Sequence, residues 1–289
     1  MFSDTLPSDI SSSSDARMQR SRGAARVSFC GKSGQSRLVD LYQGSPCRVL
    51  MPRVDGRDQA EVVFINTSGG VAGGDQLDYG ASVEGGATAL VTTQAAEKIY
   101  GAIDLDAHVT TDLSVGAGST LEWLPQQTIA FDKARLRRTT NINIEGDGRL
   151  LALDWLVMGR QAFGEDMTSG ALRDNWRVRH DGKLVWADAF RLVGDLGAHA
   201  RQQAVLGDNR AMATFVYVGP DAADHLEGAR ALALTSGAVA GATLVDTVLV
   251  ARFVSSEGLA LLQCVSNFLK GFRAQLNGLA PWPPRIWTC

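Results

Sequence analysis

The sequence predicts a mainly β protein with two α-helices in its C-terminal third. Short runs of alternating apolar and polar residues recur between glycine-rich turns over roughly 200 residues, which is typical of an all-β body. No helical segments separate these runs, as a parallel sheet of the Rossmann type would require. Helical periodicity appears only after position 220. These three observations together favour many short strands followed by two helices.

The strands are predicted where alternating or apolar runs lie between turn residues. The predicted strands are Ala24–Phe29, two in Ser36–Leu50 around Gly44-Ser45-Pro46, Glu61–Asn66, two in Gly80–Val91 around Glu84-Gly85-Gly86, Thr110–Val115, Thr120–Leu124, Thr128–Phe131, Thr139–Ile144, Leu150–Met158, Trp176–Arg179, Lys183–Trp186 and Ala242–Phe253. Gly146-Asp147-Gly148 resembles a hairpin turn, so we expect the strands on either side of it to pair.

Two helices are predicted near 221–235 and 256–277. Asp221 is placed to cap Ala222–Leu234, and Gly237 follows as a stop signal. Ser255 or Ser256 is placed to cap the second helix, whose apolar residues keep helical spacing. The last segment, Pro281–Trp287, contains three prolines and two tryptophans. It cannot be helical, and we expect it to dock on the body or on a partner.

The amino-acid composition limits the functions that the protein can have. The chain has 289 residues, 45% apolar, which is enough for one large or two small domains. Its net charge of -3 gives no field for nucleic acid or for an anionic membrane. The largest basic run, Arg135-Leu136-Arg137-Arg138, is expected to cap or flank a strand. Residues 1–22 have the composition of a disordered tail without an apolar signal segment, which predicts a cytoplasmic protein.

Spacing argues against a resident metal or a disulfide framework. The cysteines lie far apart without a CxxC pair, which predicts free thiols, and no two histidines stand four residues apart (Cys30, Cys47, Cys264, Cys289; His108, His180, His199, His225). Gly31-Lys32-Ser33 is not a phosphate-binding loop, because Arg26 occupies the position of its first glycine.

The region Phe64–Gly101 is the densest in glycine and in small polar residues. Asn66–Gly70 and Gly73-Gly74 precede Asp75, and the glycines predict positive φ angles or a close backbone approach. Thr92 and Thr93 end the following apolar strand. The hydroxyls are expected to bond to nearby backbone groups, since nothing supplies the other parts of a threonine nucleophile.

Four carboxylates are candidates for chemistry: Asp75, Glu122, Asp154 and Glu165. Three of the four stand among large apolar residues. One interpretation is structural, with ion pairs to Arg160, Arg137 or Lys98. A second is a polar interior path that holds a divalent cation transiently through oxygen ligands. A third is the acid pair of a glycosidase. Chain spacing does not say which carboxylates meet.

Five motifs in order resemble the urease accessory protein family UreD, also called UreH. They are Asn66–Asp75, Thr92–Tyr100, Leu121–Ile129, Gly159-Arg160 with Gly164-Glu165, and Pro284–Thr288. The resemblance runs from about residue 22 to the end of the chain. Gln127 departs from the pattern, because the family usually has glutamate there.

The resemblance implies a single domain over 23–289 with a β-helix-like body of stacked sheets and two helices. It implies a nickel-insertion chaperone rather than an enzyme, acting with UreF and the GTPase UreG on apo-urease. Nickel(2+) would be held only transiently, with no tightly bound cofactor, along a polar internal tunnel. A dimer of UreD–UreF units is a further expectation, and no nucleic acid or membrane is expected as a partner.

We expect the tunnel to be lined by Asp75, Glu122, Asp154 and Glu165, with Thr92 and Thr93. The candidate contacts with UreF are the helical region and the C-terminal tail, with its side chains Trp282, Arg285, Ile286 and Trp287. The alternatives are a carbohydrate-active enzyme that uses an Asp/Glu pair in an open groove, and a β-rich scaffold without a site.

Overall fold

The computed structural model describes residues 20–52, 59–196, 202, 205–276, 279 and 284–288. Most of the predicted disordered tail, residues 1–19, lies outside the described residues. Arg22 already belongs to the first strand, so ordered structure begins two residues before the predicted strand at Ala24.

Two sheets form the body of the protein. Their strands are β1 Arg22–Lys32, β2 Gln35–Gly44, β3 Cys47–Leu50, β4 Ala60–Asn66, β5 Gln76–Glu84, β6 Thr88–Thr93, β7 Glu97–Ile99, β8 Ala107–Val115, β9 Thr120–Trp123, β10 Thr128–Ala130, β11 Arg135–Ile144, β12 Arg149–Met158, β13 Ser169–His180, β14 Lys183–Asp195, β15 Ala211–Val218, β16 Val239–Val245 and β17 Val248–Ser255. The first sheet has the strand order β14-β13-β11-β8-β5-β1-β2, and the second has the order β16-β17-β15-β12-β9-β6-β4-β3 with β7 and β10 at its side.

The chain winds as stacked coils that resemble a β-solenoid. From β4 to β13 it alternates between the sheets, and equivalent strands of successive coils pair in parallel, as β5 does with β8 and β6 with β9. The expected pairing across Gly146-Asp147-Gly148 is therefore wrong, because β11 and β12 belong to different sheets. A glycine with positive φ, such as Gly146 at 54°, turns a solenoid corner as readily as a hairpin. The turn at Asp181-Gly182 does join an antiparallel pair, β13 and β14.

Apolar residues fill two layers on either side of the second sheet. The main core lies between the sheets and includes Val27, Leu113, Leu121 and Leu150. A second core lies between the outer face of the second sheet and the helices, where Phe215 packs against ring neighbours. Because side chains alternate along a strand, neighbouring residues of β6, β9 and β12 face different cores.

Two α-helices are present in the described residues of the C-terminal third: α1, Leu226–Leu234, and α2, Gly258–Gln275. The predicted cap by Asp221 is wrong. Residues 221–225 form turns, and the Asp221 carboxylate instead accepts a hydrogen bond from Tyr217 Oη at 2.5 Å and pairs with Arg149. Short 3₁₀ turns occur at Gln161–Phe163 and Arg285–Thr288. Neither α-helix is both long enough and apolar enough to cross a membrane.

The strand β2 forms one edge of the first sheet and is exposed over nearly its whole length. Four apolar side chains on it face solvent in part: Leu38, Val39, Leu41 and Tyr42. Val39 is 68% exposed and lies where the pairing with β1 shifts register by one residue, as at a β-bulge.

The basic run Arg135–Arg138 lies inside β11 rather than at its flank. Its arginines consequently alternate between the two faces of the first sheet. Arg138 is buried on the side of the main core, while Arg137 is exposed on the outer face.

Candidate functional site

A polar cavity of about 50 Å³ lies between the two sheets, inside an otherwise apolar core. Strands from both sheets line it with inward-facing residues. The lining is Tyr79, Thr93, Glu97, Ile99, Val109, Thr111, Trp123, Pro125, Gln126, Thr128, Leu136, Arg138 and Asp154. A site needs roughly 10–15 Å³ for each water, so this space is large enough for a few water molecules.

Glu97 is one of the two carboxyl groups of the cavity. It begins the short strand β7, which pairs in parallel with β10. Asn66 Nδ2 lies 3.1 Å and 3.3 Å from its carboxylate oxygens and donates to them. Burial raises the pKa of Glu97 from 4.5 to about 7, and the bond from Asn66 opposes this effect. The group therefore exchanges its proton near neutral pH.

The second carboxyl group, Asp154 of β12, is held by a guanidinium from the opposite sheet. Arg138 of β11 donates through Nη1 to Asp154 Oδ1 at 2.7 Å and to Thr128 Oγ1 at 3.0 Å. Its Nη2 donates to Asp174 Oδ2, also at 2.7 Å. Burial raises the pKa of Asp154, Arg138 lowers it, and the neighbouring Asp174 raises it again. Two carboxylates thus share one guanidinium, which leaves the cluster with an excess of acid.

Thr92 and Glu122 lie on the other side of the second sheet, under the helices. Glu122 is fully buried, forms an ion pair with Arg273 of α2, and accepts a hydrogen bond from Gln59 Nε2 at 2.5 Å. Thr92 Oγ1 donates to the Leu124 carbonyl at 2.6 Å. Thr92 and Thr93 therefore face different cores, as neighbouring strand residues must.

Asp75 and Glu165 lie in loops, and hydrogen-bond donors hold both carboxylates. Asp75 accepts hydrogen bonds from the backbone N–H groups of Ser21 and Ala72, both at 2.8 Å. Glu165 accepts from Arg160 Nε at 2.9 Å, which confirms one of the predicted ion pairs. That bond lowers the pKa of Glu165. Of the six predicted path residues, Thr93 and Asp154 line the cavity and the other four do not.

Glu97 was missed as a site residue, although it lies in the same motif as Thr93. Its partial burial depends on Asn66, which is 31 positions away, and on the pairing of β7 with β10. No local pattern shows either contact. The nearest signal in the sequence is the apolar Ile99 two residues later, because residues two apart in a strand face the same side.

The glycine-rich stretch lies against β7, as expected from its composition. Val71 N donates to the Lys98 carbonyl at 2.7 Å, and Tyr100 N donates to the Val71 carbonyl at 2.9 Å. A Cβ on Gly73 would lie 2.4 Å from the Leu105 carbonyl oxygen, so no larger residue fits there. The stretch is a close backbone crossing that positions Asn66 and Glu97.

The C-terminal tail packs on the helical side of the second sheet, next to Thr92 and Trp155. Trp287 stacks on Trp155 with ring centroids 5.2 Å apart, and its Nε1 donates to Thr92 Oγ1 at 3.1 Å. Ile286 is half-buried. Trp282 and the side chain of Arg285 lie outside the described part, so the role of the tail in partner binding stays a prediction.

Within the described residues, no group of three or more His, Cys, Asp or Glu side chains is placed to hold a metal ion. The two carboxyl groups of the inter-sheet cavity, Glu97 and Asp154, are the pair closest to the chemistry predicted from the sequence.

The chain is similar to proteins of one known family over nearly its whole length. The family model described as "UreD urease accessory protein" matches residues 21–288. The chain belongs to the UreD family. It is 42% identical over 282 residues to the urease accessory protein UreD of Xanthobacter autotrophicus, covering 98% of this chain and 95% of that protein. It is 40% identical to the UreD proteins of Azorhizobium caulinodans and Magnetococcus marinus, with coverage of 94% and 92% of this chain and 98% and 93% of theirs. These UreD relatives are named as accessory proteins of urease and not as enzymes.

Proposed function

We propose that this member of the UreD family is a nickel-insertion chaperone that acts with UreF and UreG on apo-urease. Nickel(2+), the cargo, passes through the interior of the solenoid by way of the cavity between the sheets. The observation that carries this proposal is the polar cavity itself, with Glu97 and Asp154 among apolar core residues. An acidic, water-sized space inside a core is costly unless it has a use.

The chemistry of the lining suits passage better than storage. Carboxylate, hydroxyl and amide oxygens from Glu97, Asp154, Thr93 and Gln126 form a site that holds a divalent cation loosely, with water ligands kept. The guanidinium of Arg138 repels a cation but is neutralised by two carboxylates, Asp154 and Asp174. A proton leaving Glu97 near neutral pH would compensate one of the two positive charges that nickel(2+) brings.

The carbohydrate-active alternative fits this cavity poorly. Small-molecule clefts usually enclose about 300–1,000 Å³. A space of about 50 Å³ between two sheets admits ions and water but no sugar ring. The predicted carboxylates also lie on different sides of the second sheet or in loops, so they do not form an acid pair.

For UreF, we propose the helical side of the body together with the tail. A groove of about 610 Å³ beside α2 is lined by apolar side chains that include Phe163, Leu259 and Leu262. Phe163 is 80% and Leu259 65% exposed, so two large apolar side chains face solvent beside this groove. We expect Leu259→Asp to abolish co-purification with UreF, while Leu234→Asp, which changes an exposed residue of α1 outside the groove, leaves it unchanged.

The nickel path is tested by removing its acidic groups one at a time. We expect Glu97→Gln and Asp154→Asn each to lower urease activation in cells and the nickel content of purified urease by about tenfold. The matched control is Glu84→Gln, an exposed carboxylate at the end of β5 outside the cavity. Co-purification of each variant with UreF and urease is measured in the same preparations, so loss of assembly is separated from loss of transfer. Full activation by the double variant Glu97→Gln/Asp154→Asn would overturn the interior path.

A further inference from the structure

The outer face of the first sheet carries a row of arginines that the interior path does not use. Arg191 of β14, Arg173 of β13 and Arg137 of β11 are direct neighbours in register on adjacent strands. The strands are about 4.8 Å apart, so the row spans roughly 10 Å. Like charges that lie directly opposite on neighbouring strands are unfavourable.

One carboxylate neutralises this cluster in part. Asp106, just before β8, lies 3.4 Å from Arg137, 3.1 Å from Arg173 and 3.0 Å from Arg135. Three guanidinium groups thus share a single acid. In the described part of the chain, Arg191 has no ion-pair partner, and the buried Nε of Arg135 has no hydrogen-bond acceptor. The cluster therefore keeps a net positive charge and an unused donor, although the whole chain has a net charge of -3.

An open cavity of about 620 Å³ adjoins the row. Its lining includes Arg135, Lys133 and Ile103, with backbone from Gly170 and Gly194 at the ends of β13 and β14. Ile103 is 92% exposed, and Leu105 on the same loop is 53% exposed. Exposed aliphatic side chains next to arginines have the composition of a protein-binding surface, in which arginine is enriched.

We infer that this surface, defined by Arg135, Arg137, Arg173, Arg191 and Ile103, binds an acidic segment of a partner protein that also carries an aliphatic side chain. The planar guanidinium groups match carboxylates in a bidentate manner. A linear, open row fits successive acidic side chains of one segment better than a compact anion, which a closed pocket would surround. A row of three arginines is too short for the run of phosphate contacts that duplex DNA offers.

The test uses the full-length chain and a fluorescein-labelled peptide in which glutamates flank a pair of leucines. Fluorescence anisotropy measures its affinity at two salt concentrations. We expect Arg191→Gln to weaken binding about threefold, and Arg173→Gln/Arg191→Gln at least tenfold. Arg191 is exposed and has no ion-pair partner among the described residues, so we expect its single variant to keep the fold. We expect Asp106→Asn to strengthen binding, because it removes the competing carboxylate.

The matched control is Arg177→Gln, an exposed arginine of the same strand as Arg173 that is four residues further along. It should change the affinity less than twofold, and the peptide with glutamine in place of glutamate should not bind. Equal binding by the wild type and the double variant would overturn the inference, as would an equal loss in Arg177→Gln. Competition by tripolyphosphate or duplex DNA at lower concentration than the peptide would also overturn it, because the preferred anion would then be a phosphate.

Discussion

Two carboxylates of this protein show how the face of a strand decides the role of a residue. Glu122 and Asp154 stand in similar apolar sequence contexts on neighbouring strands, β9 and β12. Glu122 points toward the helices and is neutralised by Arg273. Asp154 points between the sheets, where it borders a polar cavity. A carboxylate is thus held in a buried ion pair under the helices on one side of the sheet and borders a cavity on the other.

The buried pair of Glu122 leads to a prediction about stability. We expect Glu122→Gln to lower the free energy of unfolding by about 3–5 kcal/mol, because it leaves the Arg273 charge buried without its carboxylate. The double variant Glu122→Leu/Arg273→Met should recover most of this loss, since it removes both charges. Urea unfolding of the three proteins measures the difference. A single variant as stable as the wild type would contradict the argument.

Glu97 predicts a pH dependence with a defined sign. Its pKa is raised from 4.5 to about 7 in the folded protein, so between these values the folded state binds more protons than the unfolded state. Stability from this group is therefore greatest below pH 4.5 and is lost as the pH rises through 7. We expect the free energy of unfolding of Glu97→Gln to be about 1–2 kcal/mol higher than that of the wild type at pH 8, a value that allows for the partial exposure of Glu97.

The difference for Glu97→Gln should vanish near pH 4.5, which urea unfolding at both pH values would show. Glu84→Gln, whose carboxylate is exposed, should show no such change between the two pH values. A stability difference that is independent of pH would contradict the assignment of this titration to Glu97.

At the scale of elements, glycine turns determine how closely the coils approach. The Asn66–Asp75 segment crosses between coils, with Val71 hydrogen-bonded to both Lys98 and Tyr100. Its glycines serve different needs. Gly69 has a φ of 77° and open space around it, whereas Gly73 has backbone so near that a Cβ has no room. Gly73 is therefore required by the short distance between coils and not by its backbone conformation.

We therefore expect Gly73→Ala to destabilise the protein by about 1–3 kcal/mol through overpacking. The control is Gly241→Ala in β16, where a Cβ would meet nothing within 4 Å. That change should be neutral or slightly stabilising, since alanine loses less conformational entropy on folding than glycine. Thermal unfolding compares the two variants, and equal effects would refute the steric argument.

The sequence allowed most elements to be predicted, but not how they come together. Alternation and glycine turns located the strands, because both are local properties. The turn signal at Gly146-Asp147-Gly148 led to the wrong prediction that β11 and β12 pair, since a positive φ suits a solenoid corner as well as a hairpin. Likewise Thr92 and Thr93 had to face opposite sides, but which side held a cavity depended on strands far along the chain. Asp221 was wrongly assigned as a cap because its partners, Tyr217 and Arg149, are tertiary contacts.

At the scale of the whole molecule, Arg138 connects the two sheets through the interior. It belongs to β11 of the first sheet and bonds to Thr128 and Asp154 of the second, as well as to Asp174 beside it. Burying the charges of such a link costs free energy, which is offset only when each charge has a partner of opposite sign. Its location beside the cavity means that the stability of the body and the proposed path share the same side chains.

We expect Arg138→Met to lower the free energy of unfolding by about 3–5 kcal/mol at pH 8, because the buried Asp154 carboxylate would lose its cation beside the half-buried Asp174. The cost should shrink at pH 5.5. Arg138 lowers the pKa of Asp154, which burial raises, so loss of the guanidinium raises this pKa further. A raised pKa means stability that returns as the pH falls. Urea unfolding at both pH values measures this change, and a loss of the same size at pH 5.5 and pH 8 would contradict it.

The exposed edge formed by β2 affects how the isolated protein behaves at high concentration. A ten-residue strand with free backbone donors and acceptors, and with Leu38, Leu41 and Tyr42 in solvent, can add a strand from another molecule. The bulge at Val39 limits such growth without preventing it. Val39→Lys places a charge on this exposed edge strand and changes no core residue. It should delay the rise in light scattering of a concentrated sample, while leaving the unfolding midpoint where it was.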